Sequence, residues 1–191
     1  MRQVAACAVL GVVLVLLAGA LPAASSAVST SVVISQVYGG GGNSGATYTN
    51  DFIELYNPTA GSIPLTGWSV QYASTTGTSW SKTDLSGSIP AHGYYLIQEL
   101  AGTGGTTPLP TPNATGTIAM SGTDGKIALV QATTALTGAC PTGTLDQVSY
   151  GSGNCGSAAA TCRWRSASRA RSAWRRDVAS AQAFSPASAA S

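Results

Sequence analysis

Residues 40–45 read GGGNSG, the letters of a G-x-G-x-x-G phosphate-binding loop, and an apolar run, SVVISQVYG, leads up to them. In a dinucleotide site the third glycine opens a helix whose N-terminal N–H groups hold the pyrophosphate. Here ATYTNDFIELYN follows, β-branched, aromatic and alternating, which predicts a strand. A P-loop would close on Gly-Lys-Ser or Gly-Lys-Thr, and neither follows. The stretch reads instead as a pliable connection between two strands, packed near Glu54.

Asp51 and Glu54 are the nearest pair of groups capable of acid–base work or cation binding. On one strand these positions point to opposite faces, so they cannot act together without a bulge. Glu54 shares its face with Phe52 and Tyr56. A carboxylate placed there must find donors, which predicts a structural anchor bonded to loop backbone such as that of the glycine loop. Asp51, Asn50 and loop carbonyls are the groups an edge-bound Ca²⁺ would use; anchoring is the preferred reading, and no metal site is assigned. His92 lies in PAHGYY, a turn, with no patterned Ser, Cys or acidic partner. There is no G-x-S-x-G elbow and no His-rich metal constellation. The expectation is a chain with no catalytic residue and no cofactor.

These residues need a scaffold, and the chain supplies repeated short strands. Its 191 residues suffice for one domain with a core, and only 8% are charged. Period-2 patterning recurs from about Ser31 to Tyr150. DFIELYN sets Phe52, Glu54 and Tyr56 against Ile53 and Leu55; GWSVQYA puts Trp68, Val70 and Tyr72 together; YYLIQ follows a Pro-containing turn. TDGKIALVQ opens on Asp124-Gly125, a hairpin signal, and continues as a strand. This pattern predicts an all-β sandwich or small barrel, with Trp68 and the Tyr and Phe residues as its large core pieces. GTGGTTPLPTPNATG, residues 102–116, is too rich in Gly and Pro for a strand and reads as a long surface crossover. The sequon Asn113-Ala114-Thr115 within it is of a kind that arises often by chance.

Both ends differ from this middle. Arg2, the apolar run Val4 to Leu17, and small residues Ser25 and Ala27 before a cleavage point read as a secretory signal peptide over 1–27. The run is short for a membrane span, so no span is expected after cleavage and the domain should occupy 28–156 outside the cell. Residues 157–191 are Ala/Ser/Arg-rich, without alternation, and read as a disordered or irregular tail. Between Val28 and Cys162 the basic residues are Lys82 and Lys126, against the acids Asp51, Glu54, Asp84, Glu99, Asp124 and Asp146. The arginines gather after Cys162, so an acidic domain precedes a basic segment. Removing Cys7 with the signal leaves Cys140, Cys155 and Cys162, which allow one bridge and one remaining thiol. A bridge from Cys140 to Cys155, across LDQVSYG, would staple the C-terminal edge. The spacings are not those of a zinc site.

The order GGGGNSGATYTNDFIELYNP, LTGWSVQYAS, GTSW, LSGSIPAHGYYLIQE, LPTPNATGTIAMSGTDGKIALV closely resembles the bacterial secreted lamin-tail domain, over about Val32 to Tyr150. The resemblance implies an immunoglobulin-like β-sandwich with Phe52 to Asn57 in an early core strand, Trp68 in the next, and Tyr94 to Gln98 in a buried one. Cys140 and Cys155 match the pair found after the last strands in many members. Such domains are usually accessory modules, often beside extracellular nuclease or phosphoesterase domains, and none of their residues is carried over as catalytic. The chain departs from the family at CRWRSASRARSAWRRDVASAQAF, text that a frameshift in a GC-rich gene or a genuine basic tail would equally produce.

Three readings follow. The first is a secreted binding, adhesion or accessory module with an unidentified extracellular ligand. The second is the N-terminal part of an extracellular nuclease or phosphoesterase whose catalytic domain is absent from this chain. The third is nucleic-acid or anionic-surface binding through the arginine-rich tail. The two Trp residues of that tail, Trp164 and Trp174, fall roughly on opposite sides of a helix, so no amphipathic face forms and the third reading ranks last.

Overall fold

The computed structural model describes residues 29–153 and Cys155. The proposed signal peptide, the Arg-rich tail and Cys162 lie outside the described residues. Within them there is no helix, and ten strands run in order: β1 Val33–Tyr38, β2 Asn50–Tyr56, β3 Ile63–Pro64, β4 Ser69–Ala73, β5 Ser81–Asp84, β6 Ser88–Ile89, β7 Tyr94–Ala101, β8 Ala114–Thr115, β9 Gly125–Val130 and β10 Asp146–Tyr150. Two four-stranded sheets, β1-β2-β7-β8 and β10-β9-β4-β5, contribute to one core, and β3 pairs with β6. The pairings are antiparallel except β7 with β8. This is an all-β fold consistent with an immunoglobulin-like sandwich.

Period-2 alternation places the core between the sheets. Ile34, Ile53, Leu55, Tyr95 and Ile97 come from the first sheet, and Val70, Tyr72, Ile127, Leu129 and Tyr150 from the second. Connecting segments add Leu65, Leu85, Ile89, Ile118 and Met120. Trp68 is half-buried and packs against this core from the turn just before β4. Among the described residues the buried tryptophan is Trp80, which belongs to a separate cluster with Ala73, Ala128 and Val130.

That second cluster lies on the outer face of the second sheet, where alternation alone predicts exposure. Residues 131–145 cross this face and bring acceptors to its polar side chains. Ser69 Oγ donates to Ala132 O (2.6 Å), Gln71 Nε2 to Thr134 O (2.9 Å) and Trp80 Nε1 to Gly138 O (3.0 Å). Lys126 Nζ donates to Ala139 O (2.7 Å) and Gly77 O (2.9 Å). The disulfide Cys140–Cys155 fastens the end of this segment, with the two Cα atoms 5.3 Å apart.

Two sequence expectations about connections change. Asp124-Gly125 leads into β9 without closing a hairpin: the preceding strand, β8, pairs with β7, while β9 pairs with β4 and β10 and is linked to β10 by the long 131–145 segment. Gly125 is needed for space: a Cβ there would lie 2.6 Å from the Tyr72 ring and 2.8 Å from the Tyr150 hydroxyl. The 102–116 crossover ends in a strand after all. Ala114 and Thr115 pair with Ile97 and Gln98, because Asn113 grips the β7 edge first. The Asn113 N–H donates to Leu96 O and the Leu96 N–H to Asn113 Oδ1, both at 2.8 Å.

Candidate functional site

The chemically capable side chains meet at one end of the sandwich, around the glycine loop and the segment after β8. Asp51 extends from β2 and is buried. Its Oδ1 accepts the Gly41 N–H (2.6 Å) and its Oδ2 the Met120 N–H (2.7 Å). The glycine loop is therefore held by Asp51, and Glu54 does not reach it. β2 alternation turns Glu54 to the opposite face, over β1. There a bulge at Ser35 lets the Ser35 hydroxyl (2.6 Å) and the Gln36 amide (3.2 Å) both donate to Glu54 Oε1. Asn50 is also committed: its Oδ1 accepts the Thr49 hydroxyl and its Nδ2 donates to Glu99 O, each at 2.9 Å.

The loop is not a pliable connection. Gly40 and Gly42 have φ of 78° and 71°, the left-handed region that glycine enters freely. A Cβ on Gly42 would fall on the backbone of Gly102. Across that contact Gly104 N donates to Gly42 O (2.6 Å), while Gly42 N donates to Tyr48 O (2.8 Å). These N–H groups face backbone and Asp51, so the G-x-G-x-x-G letters describe two loops packed together and no cradle for phosphate.

Glu99, which the sequence reading left among the unassigned acids, is the second buried carboxylate at this end, at 1% exposure. Its Oε2 accepts the Ile118 N–H (3.0 Å), and its Oε1 has no hydrogen-bond partner. The Thr83 hydroxyl faces the same carboxyl group without closing a hydrogen bond. Gly116 stands where a Cβ would run into both Thr83 and Glu99. Burial pushes both acids above the usual carboxylate range, against the backbone hydrogen bonds that Asp51 accepts from Met120 and Gly41 and Glu99 from Ile118; for Glu99 a smaller repulsion from Asp51 adds to the rise. Beside them the Tyr150 hydroxyl donates to Ser121 O (2.6 Å) and the Ser121 N–H donates to the Tyr72 hydroxyl (3.0 Å). Burial, then proximity to Tyr72, pushes the Tyr150 phenol far up.

What this arrangement can do is hold backbone. Residues 116–121 cross from the first sheet toward the second, and the N–H groups of Ile118, Met120 and Ser121 land on carboxylates and a phenol instead of a neighbouring strand. Asp146 does the same on β10: it accepts the Ile34 N–H of β1 at 2.7 Å, and burial raises its pKa. Among the described residues no three His, Cys, Asp or Glu side chains converge. His92 is exposed in the turn before β7 at φ 51°, its N–H donating to Thr59 O.

The family model for the lamin tail domain matches residues 25–152. The chain belongs to the lamin tail domain family. No curated protein sequence matches this lamin tail domain.

The outer face of its first sheet completes the inventory. By register it carries Tyr38–Phe52–Gln98, then Gln36–Glu54–Leu96, then Val33–Tyr56–Tyr94. Phe52 is 2% exposed, stacked on Tyr38 (centroids 5.3 Å, planes 8° apart) and edge-on to Tyr48 (5.7 Å). Tyr56 and Tyr94 pair at 4.9 Å, tilted by 36°. The sequence reading marked Phe52 and Tyr56 as structural; both lie on this outer face, away from the main core. Tyr38, Tyr48 and Tyr94 were missed as their partners, although the β2 alternation already set Phe52 and Tyr56 opposite Ile53 and Leu55.

Proposed function

We propose that this lamin tail domain is a secreted, non-catalytic binding module. One observation carries the reading: the buried Asp51 and Glu99 and the half-buried Asp146 accept backbone N–H groups, and among the described residues no nucleophile–base pair stands beside them. A catalytic carboxylate must have an oxygen facing substrate, whereas these face their own chain. The signal-like 1–27 segment and the Cys140–Cys155 bridge support an oxidising, extracellular setting.

The test is hydrolysis of DNA and of simple phosphate esters by the purified chain with Mg²⁺ or Ca²⁺ present. No turnover is expected. Turnover that disappears in Glu54→Ala or Asp51→Ala while the fold survives would overturn the non-catalytic reading. N-terminal sequencing of exported protein is expected to begin near Val28; an intact Met1 terminus on exported protein would overturn cleavage.

A further inference from the structure

The two outer faces of the sandwich are finished differently. On the second sheet, residues 131–145 cover Ser69, Gln71 and Lys126 and take up their hydrogen bonds. On the first sheet the Tyr and Gln side chains of the outer face reach solvent around the buried Phe52 and Glu54: Tyr94 is 45% exposed, and Tyr38, Tyr48, Tyr56, Gln36 and Gln98 are half-buried. The Gln98 side chain stands beside Phe52.

Charge narrows what this face can hold. No Lys or Arg lies on its three register rows, and both lysines of the described residues, Lys82 and Lys126, are on the second sheet. A phosphate or sulfate ligand would find no cation on this face and the Glu54 carboxylate buried beneath it, which opposes it. Area narrows it further. A stable protein interface covers about 800 Å² on each partner around an apolar centre. Here the exposed large apolar side chains are Tyr94 and Leu100, and the polar row Gln36–Glu54 separates the two aromatic groups. What fits is a ligand with alternating apolar faces and neutral hydrogen-bonding rims.

We propose that this face binds a neutral, extended oligosaccharide running along β2. The proposal rests on the binding-module reading and names its ligand class. The Tyr56–Tyr94 pair receives the C–H face of one sugar, whose weakly positive hydrogens match the negative face of an aromatic ring. Tyr38 and Tyr48 flank a second position beside Phe52. Phe52 and Tyr56 are four residues apart on one strand, about 13 Å at strand rise, a span for several linked sugars. Between the aromatic groups the half-buried Gln36, held by its hydrogen bond to the buried Glu54, turns the rest of its amide to the hydroxyl groups, with Gln98 beside Phe52.

Titration calorimetry of the full chain with cellohexaose, xylohexaose and chitohexaose tests this, with heparin as the anionic comparison. At least one neutral hexasaccharide is expected to bind, and Tyr94→Ala and Tyr56→Ala are each expected to weaken it about tenfold or more. Tyr94 is exposed, so its variant should melt with the parent and keeps the test valid if Tyr56→Ala unfolds. No heat with any of the three to their solubility limits overturns the proposal, as does binding that Tyr94→Ala leaves unchanged. Preference for heparin, or a dimer that Tyr94→Ala dissociates, also overturns it. Those results leave the non-catalytic reading standing, because only turnover in the hydrolysis assay removes that.

Discussion

Asp51 and Met120 lie 69 positions apart in the chain, and a 2.7 Å hydrogen bond from the Met120 N–H to the Asp51 carboxylate joins them. The other oxygen of the same carboxylate takes the Gly41 N–H at 2.6 Å. One side chain thus ties β2, the glycine loop and the segment crossing between the sheets. That geometry explains why an acid is kept where burial opposes its charge: two donors that no strand can satisfy converge on it.

Asp51→Asn tests the count of acceptors. Asparagine keeps the shape but turns one oxygen into an NH₂, which must face either the Gly41 or the Met120 N–H. A protonated carboxyl would still offer lone pairs on both oxygens; the amide does not. Urea unfolding is expected to show a loss of about 1–3 kcal/mol, the cost of a stranded buried donor. An unchanged midpoint would show that the two N–H groups do not depend on Asp51.

Glu99→Gln should move the other way. Glu99 uses one oxygen on the Ile118 N–H, and its second oxygen lacks a partner beside the Thr83 hydroxyl. Glutamine keeps the acceptor, offers Thr83 a donor and removes a buried charge that Asp51 repels. Thermal melts at pH 7 are expected to show equal or higher stability than the parent. A loss comparable to that of Asp51→Asn would contradict this account.

The pH dependence follows from the same groups. Asp51, Glu99 and Asp146 have folded pKa values raised above those of the unfolded chain. Between the ordinary carboxylate pKa and the raised values the folded state holds more protons, so its stability falls as pH rises through that window. Urea midpoints measured from about pH 4, near the ordinary carboxylate range, up to neutral should therefore decline, and the decline should be shallower in Glu99→Gln. A midpoint that climbs with pH over this range would refute it.

How much of this was legible in the sequence depended on whether local alternation decided the position. DFIELYN fixed the strand and its faces, since Ile53 and Leu55 entered the core and Phe52, Glu54 and Tyr56 did not. The same rule failed for Lys126, Gln71 and Ser69. It marks them as solvent-facing, but residues 131–145 return to cover them, and that return is a tertiary event with no local signal. Glu54 reads as the anchor of the glycine loop, yet Asp51 holds that loop and Glu54 takes Ser35 and Gln36: the β1 bulge that delivers Ser35 to Glu54 does not show in the letters. Glu99 was missed because the segment it holds, 116–121, has no periodicity of its own. The PNATG motif hid a two-residue strand for the same reason.

Replacing Cys140 and Cys155 together by serine should destabilise the domain by about 3 kcal/mol, the entropy of a loop this short. The bridge spans 15 positions and closes the segment that covers Trp80 and Lys126. Unfolding followed by Trp fluorescence, with the double variant compared to the parent, checks it. Equal midpoints would mean that the hydrogen bonds of 131–139 hold the segment without the disulfide.

Lys126 gives the last prediction. It is fully buried, its ammonium donates to two backbone carbonyls and sits 5.5 Å from the Trp80 ring centre, and burial lowers its pKa. Above the lowered value the folded state has released the proton while the unfolded chain still holds it, so stability should rise with pH. The rise should be read below about pH 10, where tyrosines of the unfolded chain begin to ionise; the raised Tyr150 pKa then reverses the slope. Lys126→Met should abolish the rise. At neutral pH it should stay within about 1 kcal/mol of the parent, because an apolar side chain of similar volume commonly replaces a buried charge at little cost. Ala139 is exposed, so its carbonyl regains water when the ammonium goes. A large loss at pH 7, or a rise that persists in the variant, would show that the two carbonyls and the Trp80 ring outweigh the cost of burying the charge.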